Sequence, residues 1–292
     1  RVVVFARRAG DQAFAVCAWQ EAAEFYEAAL DAESRLSAAE RAEIHYRAAV
    51  AVSHDLDSAR AYEHFTAAAR EFRAAGDGTG FAWALMSAAR TRAAMSPEAA
   101  RDGDDLQRLQ ILYGWLGEGQ PALRGRMLAS LSEAARHCRD DALAEDFADQ
   151  ALAVGRNTED DVVSFLASEQ IALARFSRLR LRESAAAWFE ADAYARRSRD
   201  PWLQSLAGPK LAFALQQLGR LVEARTAGHE AEDLARSARN RAALSLILAG
   251  QASLELACGN LDAAEARVRD ALAACELTHD GWAFVMAHVV RV

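Results

Sequence analysis

Lysine is nearly missing from this chain: of 34 basic residues only Lys210 is lysine, and the rest are arginine. A phosphate-binding loop requires a Gly-Lys-Ser/Thr step, which does not occur, so the nucleotide chemistry of such loops is excluded. Proline is equally scarce, with 4 in 292 residues, so long helices can run uninterrupted. The 4 cysteines, Cys17, Cys138, Cys258 and Cys275, form no CxxC pair and lack the spacing of a zinc site. Three of them fall near the expected end of a helix, where a small buried residue is wanted, since a free cysteine packs as a small hydrophobe. No apolar run is long enough to cross a bilayer, and the N-terminus lacks the basic-then-apolar pattern of a secretory signal, so the expected location is the cytoplasm. The balance of 42 acidic against 34 basic residues gives −8, the wrong sign for a nucleic-acid surface.

Catalytic and metal motifs are missing as well. There is no GxSxG elbow, and His229-Glu230 is followed by Ala231-Glu232-Asp233 rather than by a second histidine. His45, His54, His64, His137, His279 and His288 show no ligand spacing either, the local clusters being His54-Asp55 and His137-Cys138. Asp102, Asp104 and Asp105 crowd together, but the glycine and distal glutamate of a calcium loop are lacking, so they read as a helix cap and first-turn charges. Gly117-Glu118-Gly119 is a lone GxG with no strand before it, a turn signal. These absences predict no catalytic residues, no cofactor and no metal.

What the chain does contain is a ruler. Asp160, Asp200, Asn240 and Asp280 are spaced by 40 residues, and each is a helix-capping type. Leu181, Leu221 and Leu261 repeat in step, as do Ala151, Ala191, Ala231 and Ala271. Within one unit Leu261, Ala264, Val268, Ala271 and Cys275 recur every three or four residues, a helical face. Gly219 and Gly259 sit where a first helix must stop, and glycine supplies the left-handed backbone that ends it. Pro201 after Asp200 and Pro121 after Gln120 mark first helical positions. One further step back lands on Gly80, ahead of a helical run over 81–92. Alanine fills about a quarter of the chain, so helices can approach closely without a thick core. The segment 94–105, with Ser96-Pro97 and Asp102-Gly103-Asp104-Asp105, is the one irregular joint before a helix over 106–116. The expected fold is all-α: antiparallel helix pairs at a pitch of about 40 residues, seven repeats plus a half repeat.

Ala22, Tyr26 and Ala29 in the segment 18–30, and Ala61, Phe65 and Ala68 in the segment 57–69, follow a small-aromatic-small order on the second helix of a pair. This order resembles the tetratricopeptide repeat, and the resemblance spans nearly the whole chain. It implies a right-handed superhelical solenoid. The longer pitch resembles the arrays of large bacterial signalling ATPases, among them LuxR-type activators and ATPase-linked adenylate cyclases. The arginine and alanine bias suggests a GC-rich bacterial genome. We expect residues 1–292 to form a single solenoid domain cut from a larger multidomain protein. The chain opens at Arg1 without methionine and closes on one helix of a new unit, over 281–292. There Trp282, Phe284, Val285, Met286, Val289 and Val290 would leave an apolar outer face that a further repeat or another copy could cover.

The resemblance also implies that the first helix of each pair lines a concave groove. By register the groove residues are Arg126, Glu133, Arg136 and His137 in one unit, Glu169, Leu173 and Phe176 in the next, and Leu206, Phe213 and Gln217 in the one after. Phe176 and Phe213 can equally pack between neighbouring helices, and the charged set can be a solvated, ion-paired face. The lysine-rich carboxylate clamp of chaperone-binding relatives is missing. The expected function is a non-catalytic sensor or docking array of a bacterial signal-transduction or transcription regulator. Its groove would hold a protein, a peptide, a small effector, or a nucleotide-binding or effector domain of the same protein. A free-standing adaptor for complex assembly is the second reading, and an enzyme whose groups converge from several repeats is the third.

Overall fold

A computed structural model of the chain describes residues 2–31, 36–54 and 57–278. The fourth ruler mark Asp280, the expected closing helix over 281–292, His279, His288, Asp55 and the Cys275 side chain lie outside the described residues. Every regular element among the described residues is helical and no strand occurs there. Packing divides the chain into two compact units, one of residues up to 123 with 133–140, the other of residues 124–132 with those from 141 onward.

The first unit holds α1 (Val2–Ala15), α2 (Trp19–Leu30), α3 (Ala38–His54), α4 (Ser58–Ala75), α5 (Gly78–Met95) and α6 (Asp104–Trp115), with a short tight turn at Ala99–Arg101. Helix α7 (Pro121–His137) contributes residues to both units. The second unit continues with α8 (Asp141–Asn157), α9 (Asp161–Ser177), α10 (Leu181–Ser198), α11 (Pro201–Gln217), α12 (Leu221–Ser237), α13 (Arg241–Ala257) and α14 (Leu261–Thr278). Successive helices pack against one another from α1 to α5 and from α8 to α14, and α11 also touches α13, two steps on.

Small residues make this packing possible. Ala22, Tyr26 and Ala29 are fully buried on α2, and Ala61, Phe65 and Ala68 are buried at the matching places on α4. Ala151, Ala191, Ala231 and Ala271 are buried on α8, α10, α12 and α14. The backbones come closer still at Gly208, where an added Cβ would lie 2.4 Å from the Ala231 Cβ, so α11 and α12 meet through the lack of a side chain. The Ser184 hydroxyl donates to the Ala172 carbonyl at 2.8 Å, tying α10 to α9, and Ser132 does the same to Ala144 at 2.6 Å.

The ruler falls on helix starts. Asp160 accepts from the Val162 and Val163 amides, Asp200 from Trp202 and Asn240 from Ala243, so three orphan donor sets are satisfied. Gln120 makes no such bond, and α7 opens on Pro121 alone. Leu181, Leu221 and Leu261 are the first residues of α10, α12 and α14. At the fourth step back the ruler is off by three. Helix α5 begins at Gly78, because Asp77 is the cap and accepts from the Gly80 amide at 2.9 Å.

A finer rhythm governs the helix ends. Residues 139, 159, 179, 199, 219, 239 and 259, spaced by 20, all have positive φ between 51° and 77°. Only Gly219 and Gly259 are glycine; the others are Arg139, Glu159, Leu179, Arg199 and Arg239. At most of these ends the following amide bonds the carbonyl five residues back, as Arg180 does to Arg175 and Arg220 to Leu215, both at 2.9 Å.

Candidate functional site

In the second unit the first helices of the pairs, α9, α11 and α13, meet through their side chains. The Glu169 carboxylate pairs with the Lys210 ammonium, which also lies 5.5 Å from the centre of the Trp188 ring. Phe176 and Phe213 meet edge to face, with centroids 5.3 Å apart and an interplanar angle of 69°. The Gln216 amide donates to the Ser253 hydroxyl at 3.1 Å. An ion pair, an aromatic pair and an amide–hydroxyl bond thus join consecutive repeats at register-related positions.

The expected groove residues take different places in this arrangement. Glu169, Phe176 and Phe213 are half-buried and occupied by their neighbours in the next repeat, so the packing role foreseen for the two phenylalanines is present. Leu173 and Leu206 are half-buried too, and Gln217 is exposed. Arg126 is half-buried in the second unit. A cavity beside Phe213 and Gln216 measures about 20 Å³, room for one water and too small for an organic ligand. Here α9, α11 and α13 stand side by side as a wall.

Glu133, Arg136 and His137 belong to the first unit. Arg90 donates to Glu133 at 3.3 Å. Burial pushes the Glu133 carboxyl up, yet the charges of Arg90, Arg136 and His137 outweigh it and hold the group below its ordinary value. His137 titrates lower than a free histidine, through burial first and then the charge of Arg136. The Arg136 Nε is buried without a hydrogen-bond partner. Among the described residues no three His, Cys, Asp or Glu side chains converge as a metal site would require.

Several participants escaped the sequence reading. Lys210 is the main one, and its being the single lysine of the chain was a usable signal. Ser253 and Gln216 carried none, because serine and glutamine at half-buried helix positions are common. Of the three acids, Asp104 and Asp105 are first-turn charges of α6 as expected, but the cap position is Gly103, without a side-chain bond; Arg92 binds Asp105 at 2.7 Å and Asp102 at 3.2 Å, and Asp102 accepts from the Asp104 amide.

The architecture is that of a tetratricopeptide-like helical repeat array. No protein-family model matches the chain, and no curated protein matches its sequence. Solved structures do match. A Rap protein complexed with Competence and Sporulation Factor aligns with TM-score 0.71 and 13% identity, covering 96% of this chain and 76% of that one. Aspartyl phosphate phosphatase F from Bacillus subtilis aligns with TM-score 0.68 and 15% identity over 96% and 72% of the two chains. A signal transduction ATPase with numerous domains, bearing a tetratricopeptide repeat sensor, from Pyrococcus horikoshii aligns with TM-score 0.55 and 14% identity, over 93% of this chain and 42% of that one. At such identities the likeness is one of fold. No helix among the described residues is long and apolar enough to cross a membrane.

Proposed function

We propose that the chain is a non-catalytic binding scaffold, the sensor or docking array of a cytoplasmic bacterial signal-transduction or transcription regulator, and that it acts as a single repeat domain. The observation that carries this reading is the wall of first helices in the second unit. Repeat contacts cross it at Glu169–Lys210, Phe176–Phe213 and Gln216–Ser253. A ligand laid along α9, α11 and α13 would touch these joints and bias the angle between repeats, a change that accumulates because each repeat contacts only its neighbours. The Rap protein and the repeat sensor of the signalling ATPase, which share the fold, support a regulatory setting. Aspartyl phosphate phosphatase F shares the fold too, so the fold by itself does not decide between binding and catalysis. The scarcity of lysine and the lack of any local catalytic motif favour binding.

The residues we assign to partner contact are Gln217 and Arg126 with the exposed edges of Phe176 and Phe213 in the second unit, and Arg136 with His137 in the first. Arg126→Glu and, separately, Arg136→Glu should weaken partner binding while leaving helical content intact; unchanged affinity removes that residue from the site. Reading the parent gene separates the two non-catalytic readings. A nucleotide-binding, cyclase or helix-turn-helix segment supports the sensor, and a frame confined to the repeats supports the adaptor.

A further inference from the structure

In the first unit α5 and α6 fail to close on each other. They touch sparsely, whereas the α3–α4 and α4–α5 pairs pack along their length. Helix α6 has 12 residues against 18 in α5, and Arg92 binds Asp105 where the two helices adjoin in sequence, so the gap opens toward the start of α5 and the end of α6. The gap is a cavity of about 640 Å³, within the range of small-ligand and side-chain pockets. Its floor is Phe81 and Leu85, one helical turn apart on α5, with Leu112 from α6. Ile111 and Trp115, also one turn apart, form the wall, and their side chains remain 49% and 76% exposed. An exposed tryptophan beside an open apolar cavity is a large unsatisfied surface.

The rim has a sign. Arg108 continues the α6 stripe one turn before Ile111, with 58% of its side chain exposed and only a 3.8 Å contact to Asp104. Arg73 stands at the end of α4 on the same rim. The one acid there, Asp77, already accepts from the Gly80 amide. Two guanidinium groups therefore face the opening in a protein whose net charge is −8. Arginine forks suit carboxylates, and the floor suits an aliphatic or aromatic side chain.

The geometry points to this cavity as a docking site for a short acidic peptide segment, which seats one apolar side chain between α5 and α6 against Trp115 and places a carboxylate on Arg108 and Arg73. The site uses none of the residues assigned to the second unit, so either assignment can fail alone.

The test uses the full chain and an array of acetylated, amidated pentapeptides permuting two acidic and three apolar residues, beside a matched array with lysine in place of the acids. Fluorescence anisotropy should find acidic members that bind, with lysine counterparts at least tenfold weaker. Trp115→Ala and Arg108→Glu should each weaken the best peptide about tenfold or more, and Phe213→Ala should leave it unchanged. Both altered side chains are mainly exposed, and circular dichroism confirms the fold of each variant. No bound member, equal binding of the lysine array, or indifference to Trp115→Ala overturns the assignment. So does a concentration-dependent dimer in sedimentation that Trp115→Ala abolishes, because the occupant would then be a second copy.

Discussion

The Asn240 side-chain amide donates to the Ser205 hydroxyl at 2.8 Å, linking the start of α13 to α11, while its oxygen caps the Ala243 amide at 3.1 Å. Asn240 is 1% exposed, and the Ser205 hydroxyl donates onward to the Trp202 carbonyl. At the two preceding ruler positions the cap is aspartate, whereas here the side chain also donates. A carboxylate in this place would be buried against the Ser205 oxygen, and could bond it only by drawing its proton from the Trp202 carbonyl. Asn240→Asp should therefore destabilise the chain by about 2 kcal/mol although it preserves a good cap, and Asn240→Ala should cost a similar amount through the lost cap and the lost bond to Ser205. Urea unfolding measures both; an unchanged midpoint for Asn240→Asp would remove the bridge from the account.

Five of the seven evenly spaced left-handed positions carry a side chain, and left-handed backbone strains L residues by roughly 1 kcal/mol. Leu179, with φ +60°, is 80% exposed, so its side chain gains little burial to set against the strain. Leu179→Gly should stabilise by about 0.5–1 kcal/mol, and Gly219→Ala, at φ +74°, should destabilise by about 1 kcal/mol. Paired thermal melts check the signs: both shifts in one direction would contradict the assigned helix ends.

Two histidines of the first unit make stability fall with acid. His54 stacks on Trp19 with centroids 4.3 Å apart, and burial pushes its pKa down to about 4. His45 also titrates near 4, through burial and then the charge of His64, whose Nδ1 lies 3.0 Å from its own. Both folded values lie below the ordinary histidine value of 6.5. Their stability contribution is therefore complete above pH 6.5 and is lost as pH falls from there towards 4, where only the unfolded chain takes up the protons. The loss by pH 4.5 should be about 2 kcal/mol for His54 and smaller for the partly solvated His45. His54→Phe keeps the stack and should flatten the curve between pH 7 and 4.5. An unaltered slope would show that His54 protonates freely in the folded protein.

Pitch and helix pairing were legible because capping chemistry and small-residue faces act locally: Asp160, Asp200, Asn240, Leu181, Leu221 and Leu261 stand where one-dimensional reasoning puts them. Gly80 misled because the residue that caps α5, Asp77, sits three places earlier and no interval points to it. Gly219 and Gly259 announced two of the left-handed helix ends, and the other five were hidden, since arginine, glutamate and leucine do not advertise a conformation that tertiary packing imposes. At the candidate site the faces were readable and the partners were not. Phe176 meeting Phe213 depends on the rotation of α9 against α11, and the cavity under Trp115 depends on how far α6 fails to close, both three-dimensional quantities.

The central claim is that a partner binds along the first helices of the second unit. The most direct measurement is photo-crosslinking in the native host, with p-benzoylphenylalanine placed at Gln217, exposed at the end of α11, or at Val222, 78% exposed on α12. The account predicts a discrete adduct from position 217 that disappears in a Phe176→Ala, Phe213→Ala background, and none from 222. An adduct from 222 alone, or one from 217 that persists without the two phenylalanines, would contradict it.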